Sequence, residues 1–179
     1  MKNLTGWKLT VVRVTALLAV IALTVLLVIN RERIQELEAF GYPGIFLVSL
    51  LSNATLILPV PGVLFTSAMG AVFNPWWVAL AAGTGATLGE LTGYLAGFSG
   101  RGVVENRKWY DRISGWMRKY GGIIILVLAI IPNPLFDIAG MVAGTLRMPL
   151  WKYLLWSWPG KCFKMLLFAL GGVGILNLF

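Results

Sequence analysis

The chain has 179 residues, of which 58% are hydrophobic and only 12% are charged, and its formal net charge is +8. A soluble domain carries about 25% charged residues, and lipid solvates apolar surface that a soluble fold of this size cannot bury. The chain has no histidine and one cysteine, which excludes histidine-containing zinc sites, Ser-His-Asp triads, Cys-His pairs and internal disulfides. The composition therefore predicts an all-α integral membrane protein without a metal or other cofactor.

The basic residues gather at the ends of apolar runs instead of forming the patch of a nucleic-acid-binding protein. This distribution predicts contact with phospholipid headgroups and no nucleic-acid partner. The first apolar run, residues 11–29, lacks a small-residue cleavage site and is followed by Asn30-Arg31-Glu32-Arg33. We therefore expect an N-terminal transmembrane helix within residues 1–34.

Residues 35–179 are expected to form one membrane domain. Its first part, residues 44–73, is apolar but contains Asn53 and then Pro59 and Pro61. Two prolines this close remove two backbone donors and stop a helix, and broken backbone inside a bilayer needs protein or water to cover it. The pattern predicts a re-entrant hairpin that returns to the side it entered from.

The next part, residues 76–98, is predicted to be a transmembrane helix. Four glycines recur in it at every fourth position, Gly85, Gly89, Gly93 and Gly97, and so share one helix face. Small residues at this spacing allow another backbone to approach closely. The glycine face is therefore a candidate contact for a homo-oligomer.

Residues 101–120 are predicted to form a basic amphipathic helix in the membrane interface. Six basic residues stand against Glu105 and Asp111, which gives a net charge of +4. The apolar side is expected to consist of Trp109, Ile113, Trp116, Met117 and Tyr120. Such a helix lies with its apolar face in the bilayer surface.

A second re-entrant hairpin is predicted over residues 121–144, with its break at Pro132-Asn133-Pro134. A last transmembrane helix is predicted over residues 149–178, with a kink at Pro159. The two breaks are followed by the same series of residues at nearly the same spacing. The series runs Pro61, Gly70, Pro75, Trp77 in the first copy and Pro134, Gly144, Pro149, Trp151 in the second. This ordered match indicates an internal duplication.

Charge suggests that the two copies are inverted. If the N-terminus is cytoplasmic, the acidic segment 30–42 lies outside and the basic segment 101–120 lies inside, with Arg147. The hairpins then enter from opposite faces of the cell membrane, an architecture that places a polar site near the midplane. The alternative is a set of plain multi-pass spans with proline kinks.

Four charged residues fall in the interior of the predicted membrane segments, away from their ends: Glu90, Asp137, Lys161 and Lys164. Each costs about 2.5–3.5 kcal/mol on insertion scales, so each should face a partner or water. Glu90 lies 15 residues after Pro75, and Lys164 lies 15 after Pro149, which favours a pair of Glu90 with Lys164 or with the nearby Lys161. The pair is either structural or part of a hydrated polar path, and Asp137 either lines that path or caps the helix after the second break.

Residues 131–140 (IPNPLFDIAG), residues 148–151 (MPLW) and Gly160-Lys161 resemble the signature of the VTT domain, shared by bacterial DedA (SNARE-associated) proteins and eukaryotic vacuole membrane proteins. Residues 87–91 (TLGEL) with Tyr94 resemble the family's glycine and acid motif. The resemblance covers about residues 35–175 and looks closer to the vacuole membrane protein branch.

The resemblance implies two opposed re-entrant hairpins and movement of lipids between leaflets. In the eukaryotic branch this is phospholipid scrambling, and in bacterial members undecaprenyl-phosphate recycling. By motif match, the family's functional acid corresponds to Glu90, and the residues of the second hairpin to Pro132, Asn133 and Asp137. Typical DedA proteins have charged residues where this chain has Val63, Ala129 and Leu135.

Three functions stay open: an energy-independent phospholipid scramblase, which leads, an ion-coupled transporter of a polyprenyl phosphate or small solute, and a membrane scaffold. Enzymatic catalysis is disfavoured because the chain has so few acids and bases. The predicted translocation path comprises Asn53, Pro59, Pro61, Glu90, Pro132, Asn133, Pro134, Asp137, Arg147, Lys161 and Lys164.

Overall fold

The computed structural model describes residues 38–54, 62–99, 107–132 and 135–176, and every regular element in these ranges is an α-helix. The predicted N-terminal transmembrane helix and the break residues Pro59, Pro61, Asn133 and Pro134 lie outside the described residues. The helices are α1 (Glu38–Ala54), α2 (Gly62–Val72), α3 (Pro75–Gly89), α4 (Leu91–Phe98), α5 (Arg107–Tyr120), α6 (Gly122–Ile130), α7 (Leu135–Thr145) and α8 (Leu150–Leu176).

The prediction of a single helix over residues 76–98 is wrong, because this segment forms two helices, α3 and α4, that are separated by a turn at Glu90. The N–H groups of Gly93 and Tyr94 both turn to the Glu90 carbonyl, at 3.1 and 3.3 Å. The Thr92 hydroxyl donates to the Gly89 carbonyl at 3.0 Å, a bond that competes with regular helix. Two glycines, Gly89 and Gly93, flank this turn and weaken the helix there.

The last helix, α8, runs from Leu150 to Leu176 and continues through Pro159. None of the helices in the described ranges meets the length and hydropathy required of a membrane span. Helices α3 and α4 have 15 and 8 residues, and α8 has 27 residues and carries Lys152, Lys161 and Lys164.

Helices from the two predicted copies contact one another. Helix α3 lies between α1 and α8, whereas α4 leaves that group and packs on α7. Helix α8 in turn contacts α2 at one end and α6 at the other. Two apolar cores result, one around Ile45, Val78 and Met165 and the other around Ile125, Phe136 and Tyr153.

Glycines set the closest helix crossings. A Cβ on Gly97 would fall on the Met141 carbonyl, and one on Gly144 would fall on the Tyr94 carbonyl, so α4 and α7 touch backbone to backbone. At the crossing of α2 and α8, a Cβ on Gly70 would overlap Ala169, and one on Gly172 would overlap the Ser67 carbonyl.

These two crossings involve corresponding positions of the two copies. Gly70 and Gly144 each lie five residues before the prolines Pro75 and Pro149, and Ser67 and Met141 each lie eight before them. The contact between α2 and α8 thus repeats the contact between α7 and α4. The partner glycines, Gly97 and Gly172, lie 22 and 23 residues after the same two prolines, so on that side the positions are offset by one residue.

The predicted glycine face is covered within the chain. Gly85 and Gly89 lie against the α1 carbonyls of Phe46 and Leu50, and Gly97 lies against α7. The glycines therefore bring helices of one chain together. A homo-oligomer through this face would have to displace α1 and α7.

The basic helix α5 is buried along only part of its predicted apolar face. Ile113 and Met117 are buried against α6 and α7, but Trp116 and Tyr120 are exposed. The basic side chains that the structure describes on this helix are also exposed, namely Lys108, Arg112, Arg118 and Lys119. Helix α5 is thus anchored by one narrow apolar stripe.

The outer surface carries many large apolar side chains. Examples with more than half of their area exposed are Leu51, Trp76, Leu95, Trp151 and Leu155. A protein in water rarely exposes so much contiguous apolar surface. This surface is suited to lipid.

A matched pair of neighbouring glycines tests the crossing of α2 and α8. Gly172→Ala places a methyl group on the Ser67 carbonyl and should destabilise the protein by about 1–3 kcal/mol. Gly171→Ala meets nothing within 4 Å and should be neutral or stabilising by up to about 1 kcal/mol. Thermal unfolding in detergent, followed by circular dichroism, measures both variants. Equal melting temperatures would contradict this crossing.

Candidate functional site

A buried ion pair joins residues of the two predicted copies. Lys161 Nζ lies 2.5 Å from Glu90 Oε1, and only 1% and 5% of the two residues' surfaces are exposed. It is the only ion pair among the described residues. Two full charges so far from solvent are tolerated only because each neutralises the other.

Close packing of α8 brings Lys161 to the Glu90 turn. On one side, a Cβ on Gly83 would overlap Cys162, so α8 lies directly on α3. On the other, a Cβ on Gly160 would lie 2.6 Å from the Ala129 side chain, so α8 also lies directly on α6. The lysine between these contacts has little freedom to turn away from Glu90.

An aromatic ring covers the ammonium group. Lys161 Nζ lies 4.1 Å from the centroid of the Phe136 ring, which is itself buried in α7. The negative face of the ring attracts the cation, and the attraction is strongest where water is excluded. The lysine is therefore held by residues from both predicted copies, with Glu90 in the first and Phe136 in the second.

Two tyrosines extend this cluster. Tyr153 lies 5.1 Å from Tyr94 and 6.4 Å from Phe136 between ring centroids. The Tyr94 hydroxyl donates to the Met148 carbonyl at 2.5 Å, whereas the fully buried Tyr153 hydroxyl has no hydrogen-bond partner among the described residues. Gly140 makes room for it, since a Cβ there would lie 3.2 Å from the hydroxyl oxygen. Burial of a hydroxyl without a hydrogen bond is costly.

The other two predicted membrane charges, Asp137 and Lys164, are half-buried and interact electrostatically with Glu90. The direct partner of Glu90 is Lys161, so the alternative pairing with Lys164 suggested by the repeat positions is not the one formed. Asp137 lies in the first turn of α7, where a negative charge is favoured by the helix dipole.

Three further path residues lie within the described ranges: Asn53, Pro132 and Arg147. The Asn53 amide donates to the Ser49 carbonyl of its own helix at 2.8 Å, and Pro132 is exposed. Arg147 is also exposed and has a φ of 52°, with its N–H bonded to Gly144 and that of Met148 bonded to Ala143. This is the bonding of a Schellman cap, so Arg147 ends α7 in a position usually taken by glycine.

The sequence did not single out Phe136 or Tyr153 as site residues. Phe136 was visible within the family motif, but its position over a lysine depends on how α7 and α8 are rotated. Tyr153 follows Trp151 near the start of a helix rich in aromatic residues. No signal distinguished it from the interfacial side chains around it.

Removal of one charge at a time should show whether Glu90 and Lys161 interact directly. Lys161→Met leaves Glu90 buried without its partner and should destabilise the protein by about 3–5 kcal/mol. The double variant Glu90→Gln with Lys161→Met removes both charges and should recover much of that loss. Thermal unfolding of the two single variants and the double variant completes a double-mutant cycle. Additive effects would contradict a direct pair.

The chain matches known proteins over most of its length. A model of the VTT domain matches residues 60–174. The vacuole membrane protein KMS2 of Arabidopsis thaliana is 33% identical over 98 residues, which are 44% of this chain and 24% of KMS2, so the chain spans about a quarter of that relative. The inner membrane protein YqaA of Escherichia coli (strain K12) is 29% identical over 133 residues, 71% of this chain and 87% of YqaA. No solved structure matches the chain. These findings confirm the resemblance noted in the sequence, and the chain belongs to the VTT-domain family of membrane proteins.

Proposed function

We propose that this protein lets phospholipids cross between the leaflets of the cell membrane without an energy source. The observation that carries the proposal is the buried pair of Glu90 and Lys161 at the contact between the two copies. A site of opposite charges, enclosed by apolar helices, offers a lipid headgroup a polar point within the hydrocarbon region.

We also propose that the two copies form an inverted repeat of opposed re-entrant hairpins, α1–α2 and α6–α7. Supporting this, α2 packs on α8 of the other copy as α7 packs on α4. The exposed basic residues of α5 favour a cytoplasmic position for this helix and for the N-terminus. The protein is then a multi-pass protein with its polar cluster near the bilayer midplane.

A zwitterionic headgroup carries the same two charges as the ion pair. Its phosphate can replace Glu90 as the partner of Lys161, while its ammonium group replaces Lys161 as the partner of Glu90. Such an exchange keeps every buried charge neutralised, which lowers the cost of separating the pair. The Tyr153 hydroxyl lies in the same cluster and can donate to the phosphate. The acyl chains stay on the exposed apolar surface.

The described conformation is closed at this point, because Glu90 and Lys161 are almost fully buried. Passage of a headgroup therefore requires α8 to separate from the turn between α3 and α4. This requirement predicts that the ion pair controls the rate of translocation.

Reconstitution into liposomes with a fluorescent phospholipid tests the proposal. A membrane-impermeant reductant bleaches only the outer leaflet, so wild-type protein should allow bleaching to continue past the outer-leaflet fraction. Lys161→Met should slow the process by about tenfold or more, since an uncompensated carboxylate blocks the exchange. The exchanged pair Glu90→Lys with Lys161→Glu should retain activity. The control Lys108→Gln, at the exposed start of α5, should match wild type.

Bleaching by wild type that stops at the outer-leaflet fraction would reject the function. Tyr153→Phe separates transport from stability in the same assay. It removes a hydroxyl with no partner among the described residues, so the protein should be as stable as wild type while translocation slows. Unchanged translocation in this variant would remove Tyr153 from the path.

The buried Glu90 carboxylate also supports a second candidate, ion-coupled transport of a polyprenyl phosphate or small solute, because such an acid can exchange a proton. A pH gradient imposed across the same liposomes distinguishes the two. A rate that follows the gradient, and that Glu90→Gln abolishes, would favour coupling. The scaffold hypothesis has less support, since α1 and α7 cover the glycine face on which it relied.

Labelling of single cysteines tests the inverted topology. In a Cys162→Ala background, Asn74→Cys should react with an impermeant maleimide from outside the cell, because Asn74 lies in the exposed turn between α2 and α3. Met148→Cys, in the corresponding turn before α8, should react only from inside. Labelling of both positions from the same side would contradict inversion.

A further inference from the structure

An open groove lies at the end of the molecule that carries the basic helix. Its volume is about 820 Å³, and it lies where α5 meets α6 and where α7 meets α8. Its wall includes Met117, Arg118, Leu146, Lys152, Leu155 and Trp156. Neither Glu90 nor Lys161 lines it, so it is separate from the ion-pair site.

Positive charge dominates the groove. Arg118 reaches it from α5 and Lys152 from α8, and both side chains are exposed. Neither forms an ion pair with a described residue, and none of the described residues that line the groove is acidic. Lys152 Nζ lies 5.4 Å from the centroid of the Trp151 ring, which leaves its positive charge in place. Two cations from different helices thus attract an anion to the groove.

Two helix N-termini add to this potential. Helix α6 begins at Gly122 after Gly121, which provides no side-chain cap, and α8 begins at Leu150 after Pro149. Gly121, Gly122 and Pro149 all line the groove. The positive ends of both helix dipoles therefore lie at the same place as the two cations.

The rest of the wall is apolar and continues onto the lipid-suited surface. The Trp156 indole lies over Gly122, where a Cβ would overlap its ring, and so forms the base of the groove. Trp151 and Leu155 are 63% and 60% exposed and lead from the groove along α8. A soluble anion would leave this apolar wall uncovered, whereas an acyl chain would cover it.

We propose that the groove binds one anionic phospholipid, with its phosphate between Arg118 and Lys152 and an acyl chain along Trp151 and Leu155. Basic pockets between membrane helices bind such headgroups, and the volume is in the range of small-molecule sites. This binding needs the family's membrane location but not translocation. A protein that fails to scramble lipids can still hold this one.

Tryptophan quenching in nanodiscs tests the proposal. Phosphatidylglycerol with brominated acyl chains should quench the fluorescence more than brominated phosphatidylcholine at the same mole fraction. Unlabelled phosphatidylglycerol should reverse the excess quenching, and unlabelled phosphatidylcholine should not. The variant Trp151→Phe with Trp156→Phe should lose the excess, because these two indoles lie in the groove.

Removal of the two cations should lower the preference for phosphatidylglycerol. Arg118→Gln with Lys152→Gln should reduce the relative affinity by about fivefold per charge. Lys108→Gln with Arg112→Gln removes the same charge from exposed sites outside the groove and should leave the preference unchanged. Equal loss in both double variants would overturn the site in favour of general surface attraction. Reversal by inorganic phosphate alone, or equal quenching by the two lipids with wild-type protein, would also overturn it.

Discussion

The close approach of helix backbones is the constraint on which the rest of the structure depends. Where Gly97 meets Met141 and where Gly172 meets Ser67, even a methyl group would not fit. Small residues are the means by which helices associate in lipid, where apolar surface alone gives no preference for a neighbouring helix over the bilayer. The same closeness, at Gly83 and Gly160, brings Lys161 within reach of Glu90. The polar site exists because the apolar packing is so tight.

Much of this arrangement could be predicted from spacing alone. Prolines restrict backbone conformation locally, so the sequence predicted that a helix would stop before Pro132, and α6 does end at Ile130. Glycines at every fourth residue indicated close contacts, and the repeated proline and glycine series indicated two copies. Charged residues in apolar runs need partners, which pointed to Glu90 and a lysine of α8.

Other features depend on how the helices are rotated against each other, and a local sequence pattern does not indicate this rotation. The choice of Lys161 over Lys164 is one turn of α8, set by contacts of Gly83 and Gly160 with other helices. The turn at Glu90 divides a segment whose hydropathy is continuous. Arg147 was predicted to line the lipid path because of its charge. In the structure its backbone, with a positive φ, ends α7, and the charge of a side chain does not indicate that conformation.

The turn at Glu90 also separates two groups of helices that pack on different neighbours. Helix α3 is fixed to α1 and α8, whereas α4 is fixed to α7, so residue 90 is the junction of two differently anchored groups of helices. Its carboxylate pairs with Lys161 of α8, while its carbonyl accepts hydrogen bonds from the N–H groups of Gly93 and Tyr94 in α4. Any movement that pulls these groups apart strains that residue first. Glu90 thus links the two groups of helices through its side chain and its backbone at once.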